Sequence, residues 1–148
     1  MRLRLRLNKE TEKSVIEELK RKEIEISEDA DLILTEENYH EERLICKDEQ
    51  DTVIVPFCEI CHIESLGHDV YVCTMNRKYK TKLRIYQLSS LLPPEQFIRI
   101  SNSVIIQRNS INRIRPGLSC KFYLTLKNGA SVDVTRTYYY KFKEFYGI

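Results

Sequence analysis

The chain has 148 residues, enough for one ordinary domain or for one domain with a small appendage. With 42% hydrophobic and 31% charged residues its composition is that of a soluble globular protein, and no apolar run approaches the roughly 18 residues that a membrane-spanning helix needs. The net charge of +2 conceals an asymmetry: residues 1–47 carry ten basic and thirteen acidic side chains, whereas residues 48–148 carry fourteen and nine. This asymmetry predicts two parts with different roles.

The first 36 residues predict a small β-α-β-β unit. Arg2–Leu7 alternates charged and apolar side chains, as in a strand with one buried face, and Glu10–Lys22 repeats its apolar residues at helical spacing. Glu23–Ile26 and Asp31–Thr35 follow as two short strands. Such a unit is too small to bury a core alone, so we expect it to pack on the rest of the chain or on a second copy. The acidic segment Glu36–Glu42 is the expected linker.

Beyond the linker, the pattern predicts a mainly β domain of short antiparallel strands. The strongest hairpin signal is Asn128-Gly129, between two alternating runs. Gln87–Leu92 predicts one helical turn, stopped by two prolines, and Thr137–Phe145 a helical or irregular segment. The predicted strands are Leu44–Cys46, Thr52–Val55, Cys61–Glu64, Val70–Thr74, Lys78–Ile85, Lys121–Leu126 and Ser131–Thr135.

The cysteines raise the question of a cofactor. The N-terminus lacks the apolar core of a secretory signal, so we expect a cytoplasmic protein in which five cysteines form no disulfide framework. Residues 58–62, CEICH, match the pattern of c-type haem attachment, but the segment alternates like a strand and haem attachment goes with export. Zinc held by Cys58, Cys61, His62 and His68 is a further hypothesis, although no second pair at finger spacing completes it. We favour small, half-buried core cysteines, and therefore predict no metal and no cofactor.

Catalysis is not predicted either. The chain has three histidines and its carboxylates cluster near the N-terminus, while four glycines leave little material for a phosphate-binding loop. No nucleophile elbow, glycine-rich phosphate loop or zincin helix is present. We therefore predict that the chain is not an enzyme.

The last third of the chain is strongly basic. Residues 97–148 contain nine Lys or Arg and two acids, set among apolar strands, which predicts a surface for a polyanion. The run Tyr138-Tyr139-Tyr140 could stack single-stranded bases. We favour the plainer interpretation that one or two of these rings close the core and the others lie on the surface.

Three segments together resemble a known family. Residues 97–107, FIRISNSVIIQ, resemble the F-x-R-x-H-x-S-x-x-V-N signature of the LytTR-type DNA-binding domain. Residues 129–138 resemble its G-x-x-x-x-V-S-R-x-Y close, and residues 61–68 stand where the family has a strand and loop. The resemblance spans about Asp48 to Tyr146. Ser101 replaces the usual His and Gln107 the usual Asn, which bears on that strand's hydrogen bonds and on base preference rather than on the fold.

The resemblance implies an elongated β-β-β arrangement of small antiparallel sheets with short helices, whose loops enter successive major grooves of a DNA duplex. By position it makes His68, Asn102 and Arg136 the base-reading side chains. Arg can bond bidentately to guanine and Asn to adenine, while His donates or accepts according to its tautomer. The expected phosphate contacts are Arg99, Lys141, Arg77, Lys78 and Lys80. For residues 77–82 a solvated hairpin edge is an equal alternative.

The sequence thus predicts a cytoplasmic transcriptional regulator that binds double-stranded DNA through residues 48–148. Residues 1–47 are too few for a receiver domain, so we expect them to mediate dimerisation or contact with a regulatory protein partner. Since such family members bind repeated half-sites, a homodimer is expected by analogy. Two alternatives remain: a protein-interaction module, and a single-stranded nucleic acid binder that uses the tyrosines.

Overall fold

The computed structural model describes residues 1–36 and 42–148, which fold as two units, Met1–Glu42 and Arg43–Ile148. Most of the expected linker therefore lies outside the described residues. The boundary comes a few residues before the one that the charge pattern suggested. The reason is that strand Arg43–Asp48 pairs along its length with Asp51–Pro56 and so belongs to the second unit.

The first unit has the predicted β-α-β-β order. It consists of β1 (Arg2–Arg6), α1 (Lys9–Arg21), β2 (Glu25–Ile26) and β3 (Leu32–Thr35). The three strands form a sheet in the order β2-β1-β3, and both outer strands run parallel to β1. Helix α1 provides the crossover that a parallel β1-β2 pair requires.

The second unit begins with a seven-stranded antiparallel sheet in the order β5-β4-β8-β7-β6-β10-β9. One face packs against the short helix α2 (Ile85–Leu91) around a first core that includes Ile63, Val72 and Leu88, all essentially buried. The strands are β4 (Arg43–Asp48), β5 (Asp51–Pro56), β6 (His62–Leu66), β7 (Asp69–Cys73), β8 (Lys78–Thr81), β9 (Phe97–Arg99) and β10 (Val104–Gln107).

A three-stranded antiparallel sheet completes this unit, formed by β11 (Ile111–Gly117), β12 (Lys121–Leu126) and β13 (Ser131–Val134). Together with the C-terminal helix α3 (Tyr139–Tyr146) it encloses a second core around the fully buried Phe142. Strand β10 serves both cores, because Ile105 belongs to the first and Ile106 to the second. Successive side chains of a strand point to opposite faces, so one short strand joins the two layers.

The fold class predicted from the sequence is confirmed: small antiparallel sheets with short helices, preceded by the β-α-β-β unit. Two local predictions were incomplete. The strand predicted over Lys78–Ile85 ends at Thr81, and α2 begins at Ile85. The predicted strands did not include β9, β10 and β11. The apolar residues of β9 and β10 face both cores and form short runs instead of alternating. β11 has no buried residue, and a register shift after Ile111 sets its two isoleucines three residues apart. No helix in the described part of the chain is long and apolar enough to cross a bilayer.

Candidate nucleic-acid interface

Three loops project from one end of the second unit, which we call the loop end. A two-residue turn, Gly67-His68, joins β6 to β7, and it is closed by the pairing of Leu66 with Asp69. Residues 100–103 join β9 to β10. Since β6 and β10 are antiparallel neighbours, this loop leaves the sheet on the same side as the turn. The third loop is the 3-10 turn Arg136–Tyr138 that follows β13.

Hydrogen bonds fasten these loops to neighbouring strands and to one another. The amide of Ser65 donates to the carbonyl oxygen of Ser103 over 2.8 Å, and the amide of Thr135 donates to the carbonyl oxygen of Ile100 over 3.0 Å. Across the last two loops, the Tyr138 hydroxyl donates to Oδ1 of Asn102 over 3.2 Å. The structure therefore brings His68, Asn102 and Arg136 to the same end, and all three are exposed.

The turn that carries His68 depends on its glycine. Gly67 has a φ of +62°, a left-handed conformation that costs a residue with a side chain more than it costs glycine. Arg84, immediately before α2, donates from its guanidinium to the carbonyl oxygen of His68 over 2.8 Å. The backbone of the turn is thus anchored while the imidazole remains exposed.

Arg99 shapes the loop that carries Asn102. Its Nε donates to the carbonyl oxygen of Ser101 over 3.1 Å, and Nη2 donates to that of Asn102 over 2.7 Å. The guanidinium also lies 5.9 Å from the centre of the Tyr138 ring. Arg99 therefore holds the loop in place, a role that its assignment as a phosphate contact did not anticipate.

The other expected phosphate contacts are divided between the two ends. Lys141 is exposed on α3, shortly after the Arg136 turn. Arg77 lies in the turn between β7 and β8, at the end opposite His68. Lys78 and Lys80 lie on β8 and form ion pairs, at 3.0 Å with Glu64 and at 3.7 Å with Asp69. The structure thus does not bring Arg77 to the loop end, and it gives the two lysines carboxylate partners.

A buried polar cluster joins the two sheets away from the loop end. Nδ2 of Asn128, in the β12-β13 turn, donates to Nδ1 of His62 over 3.1 Å and to the carbonyl oxygen of Thr74 over 3.3 Å. Its Oδ1 accepts a hydrogen bond from the amide of Ala130. These bonds fix the amide orientation, so Nδ1 of His62 is an acceptor and Nε2–H faces Glu64, 3.6 Å away.

The same cluster has some features of a metal site. Ligand atoms of His62, Glu64 and Cys73 lie within 4.8 Å of one another. However, Nε2 of His62 carries the proton, burial raises the pKa of Cys73 to about 12, and Lys78 already pairs with the Glu64 carboxylate. These residues therefore do not fit a cation as they stand. The zinc set considered from the sequence is not assembled either, since His68 lies at the far end of β6 from Cys61.

The tyrosine run separates into three environments. Tyr138 contacts Asn102, and Tyr139 stacks on Phe122 with ring centres 4.8 Å apart. Tyr140 is 70% exposed. One ring thus closes the core and one lies at the surface, as the plainer interpretation expected. The contact between Tyr138 and Asn102 was missed, because 36 residues separate them and their spacing carries no signal.

Comparison with known proteins matches the same region. The family model described as the LytTr DNA-binding domain matches residues 50–147. The sensory transduction protein LytT of Bacillus subtilis is 27% identical over 110 residues, covering 73% of this chain and 46% of that protein. The transcriptional regulatory protein YpdB of Escherichia coli K12 is 30% identical over 102 residues, covering 68% of this chain and 40% of that protein. The chain thus spans less than half the length of these two curated relatives.

A solved structure shares the fold. It is the LytTr DNA-binding domain of a Bacillus cereus protein described as a methyl-accepting/DNA response regulator. The two superpose with a TM-score of 0.70 at 27% sequence identity, and the match covers 74% of this chain and all of the other. The similarity therefore extends over most of the second unit.

Proposed function

Because the chain belongs to the LytTr DNA-binding domain family, which its residues 50–147 match, we propose that it regulates transcription by reading the base sequence of a DNA duplex at the loop end. The observation that carries this proposal is the meeting of three exposed side chains, His68, Asn102 and Arg136, on loops that are hydrogen-bonded to their neighbours. Loops held by a sheet can enter successive major grooves from one side of the helix.

The three side chains supply the chemistry of base recognition. Arg136 can donate two hydrogen bonds to O6 and N7 of a guanine, and Asn102 can pair with N6 and N7 of an adenine. His68 can donate or accept, depending on its tautomer. Each bidentate contact contributes about 1–3 kcal/mol of discrimination against the wrong base.

Preorganisation favours this use of Asn102. In the free protein its Oδ1 already accepts the Tyr138 hydroxyl, which leaves the Nδ2 donor pointing away from that bond. Arg99 holds the backbone of the same loop. A side chain fixed before binding loses less conformational entropy on binding, which favours affinity.

Phosphate contacts would set the register of the duplex on the protein. We propose that Lys141 makes such a contact, since it is exposed and close in sequence to the Arg136 turn. Arg99 would contact a DNA phosphate through the guanidinium N–H groups that do not bond to its own loop. We assign Arg77, Lys78 and Lys80 to a solvated hairpin edge instead. Arg77 lies at the end opposite His68, and the two lysines already pair with Glu64 and Asp69.

We propose a cytoplasmic homodimer that pairs through β3 and so binds two half-sites. The side chains of this edge strand are exposed, at 54% for Leu32, 49% for Ile33 and 36% for Leu34, and the strand carries none of the lysines or prolines that protect edges. Its Leu-Ile-Leu sequence is palindromic. An antiparallel second copy would therefore set Leu32 against Leu34 of the other chain, a self-complementary contact. A strand of a regulatory protein partner is the alternative occupant.

Base recognition is tested with two matched double variants. Asn102→Ala/Arg136→Ala removes two proposed base contacts at the loop end. Asn76→Ala/Arg77→Ala removes the same two residue types from the exposed β7-β8 turn at the opposite end.

Duplexes selected by the wild-type protein from a random library are titrated at one fixed salt concentration. The first variant should bind them at least tenfold more weakly, about 1.4 kcal/mol or more, and lose its preference over random duplex. The second should match the wild type. Retained preference in the first variant would remove these two residues from base recognition.

A further inference from the structure

The three-stranded sheet has a solvent-facing side that the loops do not use. Side chains of β12 alternate between buried and exposed, and Lys121 and Tyr123 are among the exposed ones. On the neighbouring strand β11, Arg115 stands opposite Tyr123, and Arg113 lies two residues before it on the same side. We call Arg113, Arg115, Lys121 and Tyr123 the basic face.

The positive charge of this face is only partly offset by nearby acids. None of its three cations forms an ion pair with any residue in the ranges 1–36 and 42–148. Among the described residues lining the shallow depression of about 290 Å³ at its centre, Asp133 is the acid that opposes Arg113 and Arg115. An exposed sheet surface with this imbalance attracts an anionic partner.

The spacing of the cations suits a chain of phosphates. Residues two apart in an antiparallel strand lie about 7 Å apart, so Arg113 and Arg115 are one such step from each other. Lys121 pairs with Gly117, which is the next step along β11. The three charges thus form a track whose repeat resembles the separation of successive phosphates along one strand of nucleic acid.

A glycine shapes the middle of the track. A Cβ atom at Gly117 would lie 2.6 Å from the ring of Tyr123, so the ring can rest across the strand only because this residue has no side chain. The guanidinium of Arg115 lies 5.1 Å from the centre of the same ring. Arg115 is therefore supported by an aromatic ring and held in the track.

The track continues toward the loop end. The start of β12 lies beside the end of β13, because Phe122 pairs with Val134. Arg136 follows Val134 by two residues, so Lys121 lies at the end of the sheet from which the Arg136 turn projects. We propose that the basic face binds the phosphate backbone of the same duplex, beyond the base pairs that the loops contact. This inference rests on the proposed function, because it needs a duplex held at the loop end.

The test uses the full chain and two duplexes that share one selected site. The short duplex ends with the base pairs needed for recognition, and the long one extends about one helical turn further on each side. The dissociation constant of each is measured across a series of salt concentrations. For the wild type we expect tighter binding and a steeper salt dependence with the long duplex. For Arg113→Gln/Arg115→Gln/Lys121→Gln the slope should fall by about 0.9 for each phosphate that is no longer neutralised, and the advantage of the long duplex should disappear.

Two controls separate the track from net charge. Lys13→Gln/Lys20→Gln/Arg21→Gln removes three exposed charges from α1 and should leave the long-duplex advantage unchanged. Gly117→Ala keeps the charge but displaces the Tyr123 ring, and it should weaken binding to the long duplex more than to the short one.

Several outcomes would overturn the inference: an unchanged slope in the triple variant of the basic face, an equal loss in the α1 control, or tighter binding of a single strand than of the duplex through this face. If the wild-type protein discriminates among duplexes but binds the long and short forms equally, the inference fails and the proposed function stands. If the wild type prefers no duplex sequence, the proposed function itself fails.

Discussion

The hydroxyl of Tyr138 sets how the amide of Asn102 is presented. Replacing it in Tyr138→Phe keeps the ring beside Arg99 and removes the bond to Oδ1. We expect the affinity for the selected duplex to fall severalfold, by about 1 kcal/mol, since an ordinary hydrogen bond contributes that much. The loss should be concentrated at one adenine position when single base pairs of the site are varied. A uniform loss at all base positions would mean that the hydroxyl supports contact with the DNA phosphate backbone and not recognition of a base.

The buried imidazole of His62 makes stability depend on pH. Burial lowers its pKa, against the opposing influence of Glu64, so between the folded and the ordinary pKa the unfolded chain binds more protons. The contribution of neutral His62 to the free energy of unfolding is therefore present in full above its ordinary pKa, and it is lost as the pH falls below about 6.5. Protonation would also place a hydrogen on Nδ1, facing the Nδ2 donor of Asn128. The other groups around the ring are Cys73 and Lys78.

The measurement is the free energy of unfolding between pH 7.5 and pH 5, taken from denaturant titrations. The wild type should lose stability on acidification, and His62→Gln should lose less. The glutamine amide can accept the hydrogen bond from Asn128 and point its N–H toward Glu64 without titrating in that range. The pKa of Glu64 is also lowered: burial would raise it, but the bond from Lys78 outweighs burial. Its contribution falls away only at lower pH, so it does not mask the effect. Parallel curves for the two proteins would contradict this account.

Individual residues differ in how far the sequence reveals them. His68, Asn102 and Arg136 could be proposed in advance, because each occupies a fixed place in a local motif. Asn128 and His62 are 66 positions apart, so their contact could not be predicted from any spacing in the sequence. The hairpin signal at Asn128-Gly129 predicted the turn but not the use of its amide. Side-chain contacts between distant strands follow from packing, which one sequence does not display.

Strand β3 is the element on which the proposed dimerisation depends. In Ile33→Lys, two ammonium groups would face each other across the proposed antiparallel pair, a like-charge contact that destabilises a sheet. We expect this variant to sediment as a monomer under conditions where the wild type is a dimer. Leu91→Lys, which changes a similarly exposed residue on α2, serves as the matched control and should remain dimeric. A dimeric Ile33→Lys protein would place the interface elsewhere.

The strands found in advance and those overlooked differ in their surroundings. β12 was predicted over its full span, since its side chains alternate between core and solvent. β9 and β10 were not predicted, because they lie between two cores and their apolar residues face both. The alternating pattern is thus a signal of half-buried strands, and the strands that join two layers lose it.

The division of charge along the chain corresponds to the division into units. The acidic part contains the first unit, and the basic part contains the domain that matches the family model. Composition could suggest this division but not its boundary, because strand Arg43–Asp48 contributes charge of both signs while its pairing places it in the second unit. The roles of the units, dimerisation for the first and recognition for the second, remain proposals.

The central claim is that guanidinium and amide groups at the loop end contact base edges in the major groove. Methylation of guanine N7 blocks that edge, so interference can be mapped along the selected duplex for the wild type and for Arg136→Ala. We predict that the wild type shows interference in patches about one helical turn apart on one side of the duplex, and that Arg136→Ala loses it at a single guanine in each half-site. Interference that is absent, or that is identical in the two proteins, would contradict the claim.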